Sequence, residues 1–152
     1  IIFNIYGPVR EEDYWKHSQQ LIADLPAHIS VTYHGSVEPA HVPEVIASHD
    51  LFFLPTRGEN YGHVIAEAMS AGTPVLIANT TPWRNLEQAG IGWDLPLDAE
   101  QPFAECIDHC ADLDVAAYRE WRCRIQQFAK GRLNDPKIIE ANRYLFMEAI
   151  KN

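Results

Sequence analysis

Residues 54–76, LPTRGENYGHVIAEAMSAGTPVL, decide the fold. The run leading into this stretch, Asp50 to Thr56 (DLFFLPT), is continuously apolar, and so is Pro74 to Ala78 (PVLIA) at its far end. Between the two strands a helix is expected from about Tyr61 to Ala71, closed by Gly72, because glycine readily takes the left-handed turn that ends a helix. Strands that are apolar throughout, rather than in alternation, are buried on both faces. That is the pattern of a parallel sheet covered by helices.

The same alternation extends outward. Residues 1–6 (IIFNIY) read as a strand closed by Gly7-Pro8. Residues 12–25 follow as a helix, with Tyr14, Trp15, Leu21, Ile22 and Leu25 at mixed three- and four-residue spacings, ended by Pro26. Ile29 to His34 alternates like a strand and stops at Gly35, and Pro43 to Ser48 forms a short helix. A weaker strand is expected near Gly92–Leu97. From Ala99 onward the pattern is helical only, over roughly 99–111, 114–130 and 136–150, with Pro136 opening the last. The fold class is α/β: one doubly wound parallel sheet over about residues 1–98 and a mainly helical tail over 99–152, together a single domain.

Composition sets bounds on function. The 152 residues carry a formal net charge of -9 and no Lys/Arg-rich run, which argues against nucleic acid or an anionic membrane as partner. No apolar run approaches the roughly 20 residues of a membrane span. Three cysteines, Cys106, Cys110 and Cys123, are odd in number and confined to one end, which fits a reducing, cytoplasmic setting better than a disulfide framework. Asn79-Thr80-Thr81 matches a glycosylation acceptor and, with no secretory signal, reads as a chance match. A chain that opens directly on a core strand is expected to be an excised piece.

In such a sheet, ligands bind at the carboxyl ends of the strands. Three loops fall there: Gly7 to Arg10, Gly35 to Glu38, and Arg57 to His63. The third is the most informative. In the helix after it, the polar side chains beyond Tyr61 are His63, Glu67 and Ser70, at spacings that place them on one stripe. Glu67 is thus the one carboxylate on an otherwise apolar helix, roughly 8–9 Å from its start. The free amides near Asn60 to His63 offer donors and positive partial charge to an anion, and Gly62 leaves room for its approach. Phosphate at the helix tip and Glu67 beyond it would span a nucleoside diphosphate, with Glu59 placed to hold a sugar. The plainer alternative is a stripe that faces water, a Glu67 paired with a buried arginine, and turn glycines with nothing bound.

The whole of residues 54–76 resembles the motif of the large family-4 (group 1) retaining glycosyltransferases, in which two glutamates separated by seven residues precede E-A-M/L-A-x-G-x-P-V. Here the pair is Glu59 and Glu67. The resemblance extends to the strand ending in Gly7-Pro8, the turn His34-Gly35-Ser36-Val37, and Thr81-Pro82-Trp83-Arg84 through Gly92-Trp93-Asp94, about residues 1–130 in all. It implies the carboxy-terminal, donor-binding half of a GT-B fold, two Rossmann-like domains facing across a cleft. Glu59 would act in catalysis by holding hydroxyls of the donor sugar. The backbone of Asn60, Tyr61, Gly62 and His63 would meet the diphosphate, Glu67 the ribose, and the backbone of Gly35, Ser36 and Val37 the base. Gly7 would line the same cleft. The family usually has Gly-Phe-Gly after the first glutamate, whereas Asn60-Tyr61-Gly62 stands here; Asn60 is a good helix N-cap.

The resemblance implies no cofactor and no metal, the nucleotide-sugar being a substrate, and it names the missing amino-terminal acceptor domain as partner. It also places the basic pair that neutralises the diphosphate upstream of Ile1. This chain alone is therefore expected to bind donor weakly and to transfer little or nothing. By the same analogy the full-length protein would work in carbohydrate biosynthesis, in the cytoplasm or at the cytoplasmic face of a membrane. Rival readings are half of a nucleotide-sugar epimerase and a non-catalytic nucleotide-sugar-binding or interaction module. A glycosidase using Glu59 and Glu67 as acid and base fails on context, since the helix tip suits phosphate. Cys106, His109 and Cys110 could mimic a metal site but lack a fourth ligand. Trp83 either packs the loop after the fourth strand or lines the donor cleft, and Arg84 is the nearest downstream base.

Overall fold

Every strand pairing among the described residues of the computed structural model is parallel, as the continuous apolar runs at 50–56 and 74–78 led one to expect of the sheet. The structure describes residues 1–98 and 100–133. The helix expected over 136–150, with its apolar residues Ile138 to Ile150, lies outside them. The chain divides into two compact units, Ile1–Val42 and Pro43–Asn152.

In the first unit, β1 (Ile2–Tyr6) pairs with β2 (Ser30–Gly35) across the helix α1 (Glu12–Ala23). The helix ends short of Pro26, and its first turn carries Glu12 and Asp13, where the positive end of the dipole favours acid. Trp15 on α1 meets Tyr33 on β2 with ring centroids 4.8 Å apart. The register slips between Ile5 and Tyr6, so that Tyr6 pairs with Gly35. A 3-10 turn at Pro39–His41 follows, unmarked in the sequence pattern.

The second unit opens with the rest of α2 (Val42–Ala47) and is built on β3 (Phe52–Leu54), β4 (Val75–Ala78) and β5 (Gly92–Leu95), in the order β3-β4-β5. β4 is central and all four of its residues are buried. The expected strand Asp50–Thr56 contracts to three residues, with Pro55 directly after it, where a missing N–H can no longer serve a ladder. The weak strand expected near Gly92–Leu97 is β5.

The helix α3 (His63–Ala71) lays Ile65, Ala66, Ala68 and Met69 into the core. It ends as expected at Gly72, whose φ of 76° permits paired closing bonds, Gly72 N–H to Met69 and Thr73 N–H to Ala68. The helices α4 (Glu100–Asp112) and α5 (Val115–Leu133) complete the unit. Asp114 caps α5 by accepting from the Ala117 amide at 2.8 Å. α5 locks α3 in turn: Arg122 donates to the terminal carbonyls of both Ala71 (3.1 Å) and Ala47 (3.3 Å), and Gln126 adds a bond to Ala71. A cation at two helix C-termini suits both dipoles.

Candidate functional site

The loop from Pro55 to Gly62 carries the chain from the carboxyl end of β3 to the start of α3, and its shape is set from both ends. Thr56 closes a small turn on Gly58, its hydroxyl donating to the Gly58 carbonyl at 3.0 Å, while Thr80 Oγ1 donates to the Thr56 carbonyl. At the other end Gly62 takes a left-handed conformation, φ 74° and ψ 56°, and the amides of Ile65 and Ala66 both donate to its carbonyl. Gly62 is therefore the cap residue. Asn60 is not the N-cap that its residue type suggests, and the helix begins at His63 rather than Tyr61. Glu67 consequently stands about 6 Å along the axis from the first helical residue, not 8–9 Å. The amides of His63 and Val64 come too early in α3 to have an intrahelical acceptor.

The polar stripe forms as its spacing requires. His63, Glu67 and Ser70 are all exposed, on the side away from buried Ile65, Ala68 and Met69. Ser70 is turned back on its own helix, donating to the Ala66 carbonyl at 2.7 Å. Glu59 is exposed as well, and neither glutamate forms an ion pair among the described residues. A Glu67 spent on a buried arginine is thereby excluded within that set. The result, among the described residues, is two carboxylates without an ion pair flanking a helix start that offers open amides.

The support for this entrance comes from residues far along the chain. Trp83 is 6% exposed and donates its indole N–H to the Tyr61 carbonyl at 2.7 Å. Its ring also meets the edge of Tyr61 at 5.9 Å, and Tyr61 in turn lies 4.7 Å from the His63 ring. Trp83 thus packs the loop after β4, and by that packing it fixes the backbone at the start of α3. Its own loop is tied down by Asp94 of β5, which accepts from the amides of Asn85 (3.2 Å) and Leu86 (2.9 Å). The guanidinium of Arg132, near the end of α5, lies 5.5 Å from the centre of the Trp83 ring. Arg132 is a basic residue that sequence reasoning missed here. Arg84, the base it singled out, is exposed.

In the first unit, Gly7 and Gly35 meet at the carboxyl ends of β1 and β2, the Gly7 amide donating to the Gly35 carbonyl at 2.8 Å. Tyr33 adds a hydroxyl bond to the Gly7 carbonyl at 2.7 Å. The His34 ring stacks on Tyr6 at 4.8 Å and shares a 2.8 Å hydrogen bond with Asn4 Oδ1, so Nε2 carries the proton. Ser36 is exposed beyond this pair and Val37 is half-buried. The sequence-predicted residues therefore form two groups: Gly7 with Gly35 to Val37 in one unit, and Glu59 to His63 with Glu67 in the other.

The cysteine-histidine face of α4 is built differently from a metal site. Burial, then the Glu87 and Glu105 carboxylates, push the Cys106 thiol up to about 11. Burial, then Cys106 and Asp50, push Cys110 up to about 12. His109 faces the edge of Trp93 at 5.8 Å. No group of three possible metal ligands converges among the described residues. No helix among them is long and apolar enough to cross a membrane.

Comparison with known proteins gives three findings. The family model for glycosyl transferases group 1 matches residues 1–108. The sulfoquinovosyl transferase SQD2 of Arabidopsis thaliana is 32% identical over 72 residues, which make up 47% of this chain and 12% of that protein. The crystal structure of WaaG, a glycosyltransferase involved in lipopolysaccharide biosynthesis, is similar in fold with a TM-score of 0.67 at 18% identity. That likeness covers 85% of this chain and 34% of WaaG, so the chain spans a minor part of both relatives.

Proposed function

The chain belongs to the glycosyl transferases of group 1, and from that membership we propose that it is the nucleotide-sugar-binding part of a retaining, family-4 enzyme of GT-B architecture. The observation that carries this reading is the entrance to α3, where exposed Glu59 and Glu67 flank the open amides of His63 and Val64. A helix start attracts an anion through its amides and its dipole, which suits the diphosphate of a nucleotide-sugar. Glu67, farther along the same exposed stripe, would accept from ribose hydroxyls. Glu59, before the helix, would accept from hydroxyls of the sugar.

Transfer to an acceptor hydroxyl leaves negative charge on the departing diphosphate, and the open amides would take up part of it. The acceptor site would lie in a partner domain of the same enzyme, and the remaining charge would fall to the basic pair that the family resemblance places upstream of Ile1. The nucleotide-sugar is a substrate in this scheme, and neither a cofactor nor a metal is called for. The test is calorimetric titration of the chain with a panel of nucleoside diphosphates and nucleotide-sugars, alongside Glu67→Ala. Binding of one nucleotide that is lost in the variant is expected. Equal binding by the variant would remove Glu67 from the site.

A further inference from the structure

A second recess lies at the opposite end of the sheet from α3's entrance. It is an open recess of about 280 Å³ beside Gly92 and Trp93, where β5 begins, between the end of α4 and the first turns of α5. Its walls include Trp93, Trp121, His109, Glu87 and Arg124. The two indoles meet edge to face at 5.4 Å, and His109 packs against Trp93 at nearly a right angle. Trp121 is held in place by its indole N–H, which donates to the Gly90 carbonyl at 2.9 Å. The aromatic wall is therefore fixed before any ligand arrives.

Polar groups of three lining residues are uncommitted. Among the described residues, the Trp93 indole N–H, the Glu87 carboxylate and the Arg124 guanidinium have neither a hydrogen bond nor an ion pair. Donors and an acceptor thus stand around an apolar wall, with one charge of each sign. An anion would meet Glu87, and a purely apolar ligand would make no use of either charged group. A polyol ring satisfies all of them, since each hydroxyl both donates and accepts while the ring's C–H faces lie on aromatic surface. The volume falls just below the ~300 Å³ at which pockets for drug-sized ligands begin, which suits one ring with its substituents.

We propose that this recess is a carbohydrate subsite that holds a single pyranose ring, separate from the site at α3 and independent of what binds there. The four tryptophans give four indole signals in a ¹H–¹⁵N spectrum, two of them from the recess. The chain is titrated with the methyl glycosides of glucose, galactose, mannose and N-acetylglucosamine to roughly 50 mM, enough to saturate a millimolar site. The Trp93 and Trp121 signals should move along a saturable curve with at least one glycoside while Trp15 and Trp83 stay fixed. Glu87→Ala, which removes the acceptor at an exposed position and leaves the wall intact, should weaken that binding by roughly fivefold, the loss expected for one hydrogen bond. Trp93→Leu should abolish it. No saturable movement of those two signals with any of the four glycosides, or binding unchanged in both variants, would overturn the proposal. Nucleotide titration reads the α3 site separately, so failure of one assignment leaves the other standing.

Discussion

Gly62→Ala is the perturbation that bears most directly on how the site is held. The residue sits at φ 74°, and a methyl group added there would come 2.8 Å from Ile65 Cδ1 and 3.3 Å from the Trp83 indole nitrogen. Left-handed backbone costs a residue with a Cβ about 1–2 kcal/mol. Moving Ile65 off its rotamer to relieve the contact adds roughly 0.5–1.5 kcal/mol. Restricting the unfolded chain returns about 0.4–1 kcal/mol, so the net loss should be about 2 kcal/mol. Four residues earlier, Gly58 has no atom within 4 Å of an added Cβ and no positive φ, so Gly58→Ala should be neutral or stabilise by up to about 1 kcal/mol. Urea unfolding followed by tryptophan fluorescence separates the two, since three of the four tryptophans lie in the unit that contains both glycines. If Gly62→Ala is as stable as the parent, the left-handed entrance is not what fixes the start of α3.

Three further outcomes follow from packing and burial. Arg122→Met removes the bonds to the carbonyls of Ala71 and Ala47 while keeping much of the side-chain bulk, and should cost about 2 kcal/mol in the same unfolding assay. An unchanged midpoint would show that α5 does not hold the ends of α2 and α3 through this residue. The raised thiols should make Cys106 and Cys110 slow to alkylate with iodoacetamide near pH ~8, by about 100-fold and 1,000-fold relative to a reference thiol of pKa 9.0 alkylated alongside. Because their folded values lie above the 9.0 of the reference thiol, their contribution to stability is complete below that pH. It should fade as pH rises through about 11 for Cys106 and about 12 for Cys110, which unfolding midpoints across alkaline pH would register.

The second unit was the more legible in sequence. The uninterrupted apolar runs around Phe53 and Leu76 announce strands buried on both faces, and the glycine after Ala71 announces the end of α3. The polar stripe of His63, Glu67 and Ser70 follows from spacing alone. The start of α3 did not, because residue type favours Asn60 as a cap whereas the backbone turns left-handed at Gly62, a feature of φ rather than of side-chain chemistry. The support behind the entrance was hidden for a different reason. Trp83 reaches the Tyr61 carbonyl across 22 positions and Arg132 reaches Trp83 from α5, and contacts so distant in the chain leave no local periodicity. The recess at Trp93 and Trp121 escaped notice on the same grounds, since its two indoles come from a strand and a helix.

The central claim is that the α3 entrance receives a nucleoside diphosphate. It is tested most directly by ¹H–¹⁵N spectra of the chain during titration with the nucleotide that calorimetry selects. The amide signals of His63 and Val64 should move furthest and saturate together, and Glu67→Ala should suppress the movement while the rest of the spectrum keeps its folded dispersion. Saturable shifts that bypass residues 59–67 would contradict it.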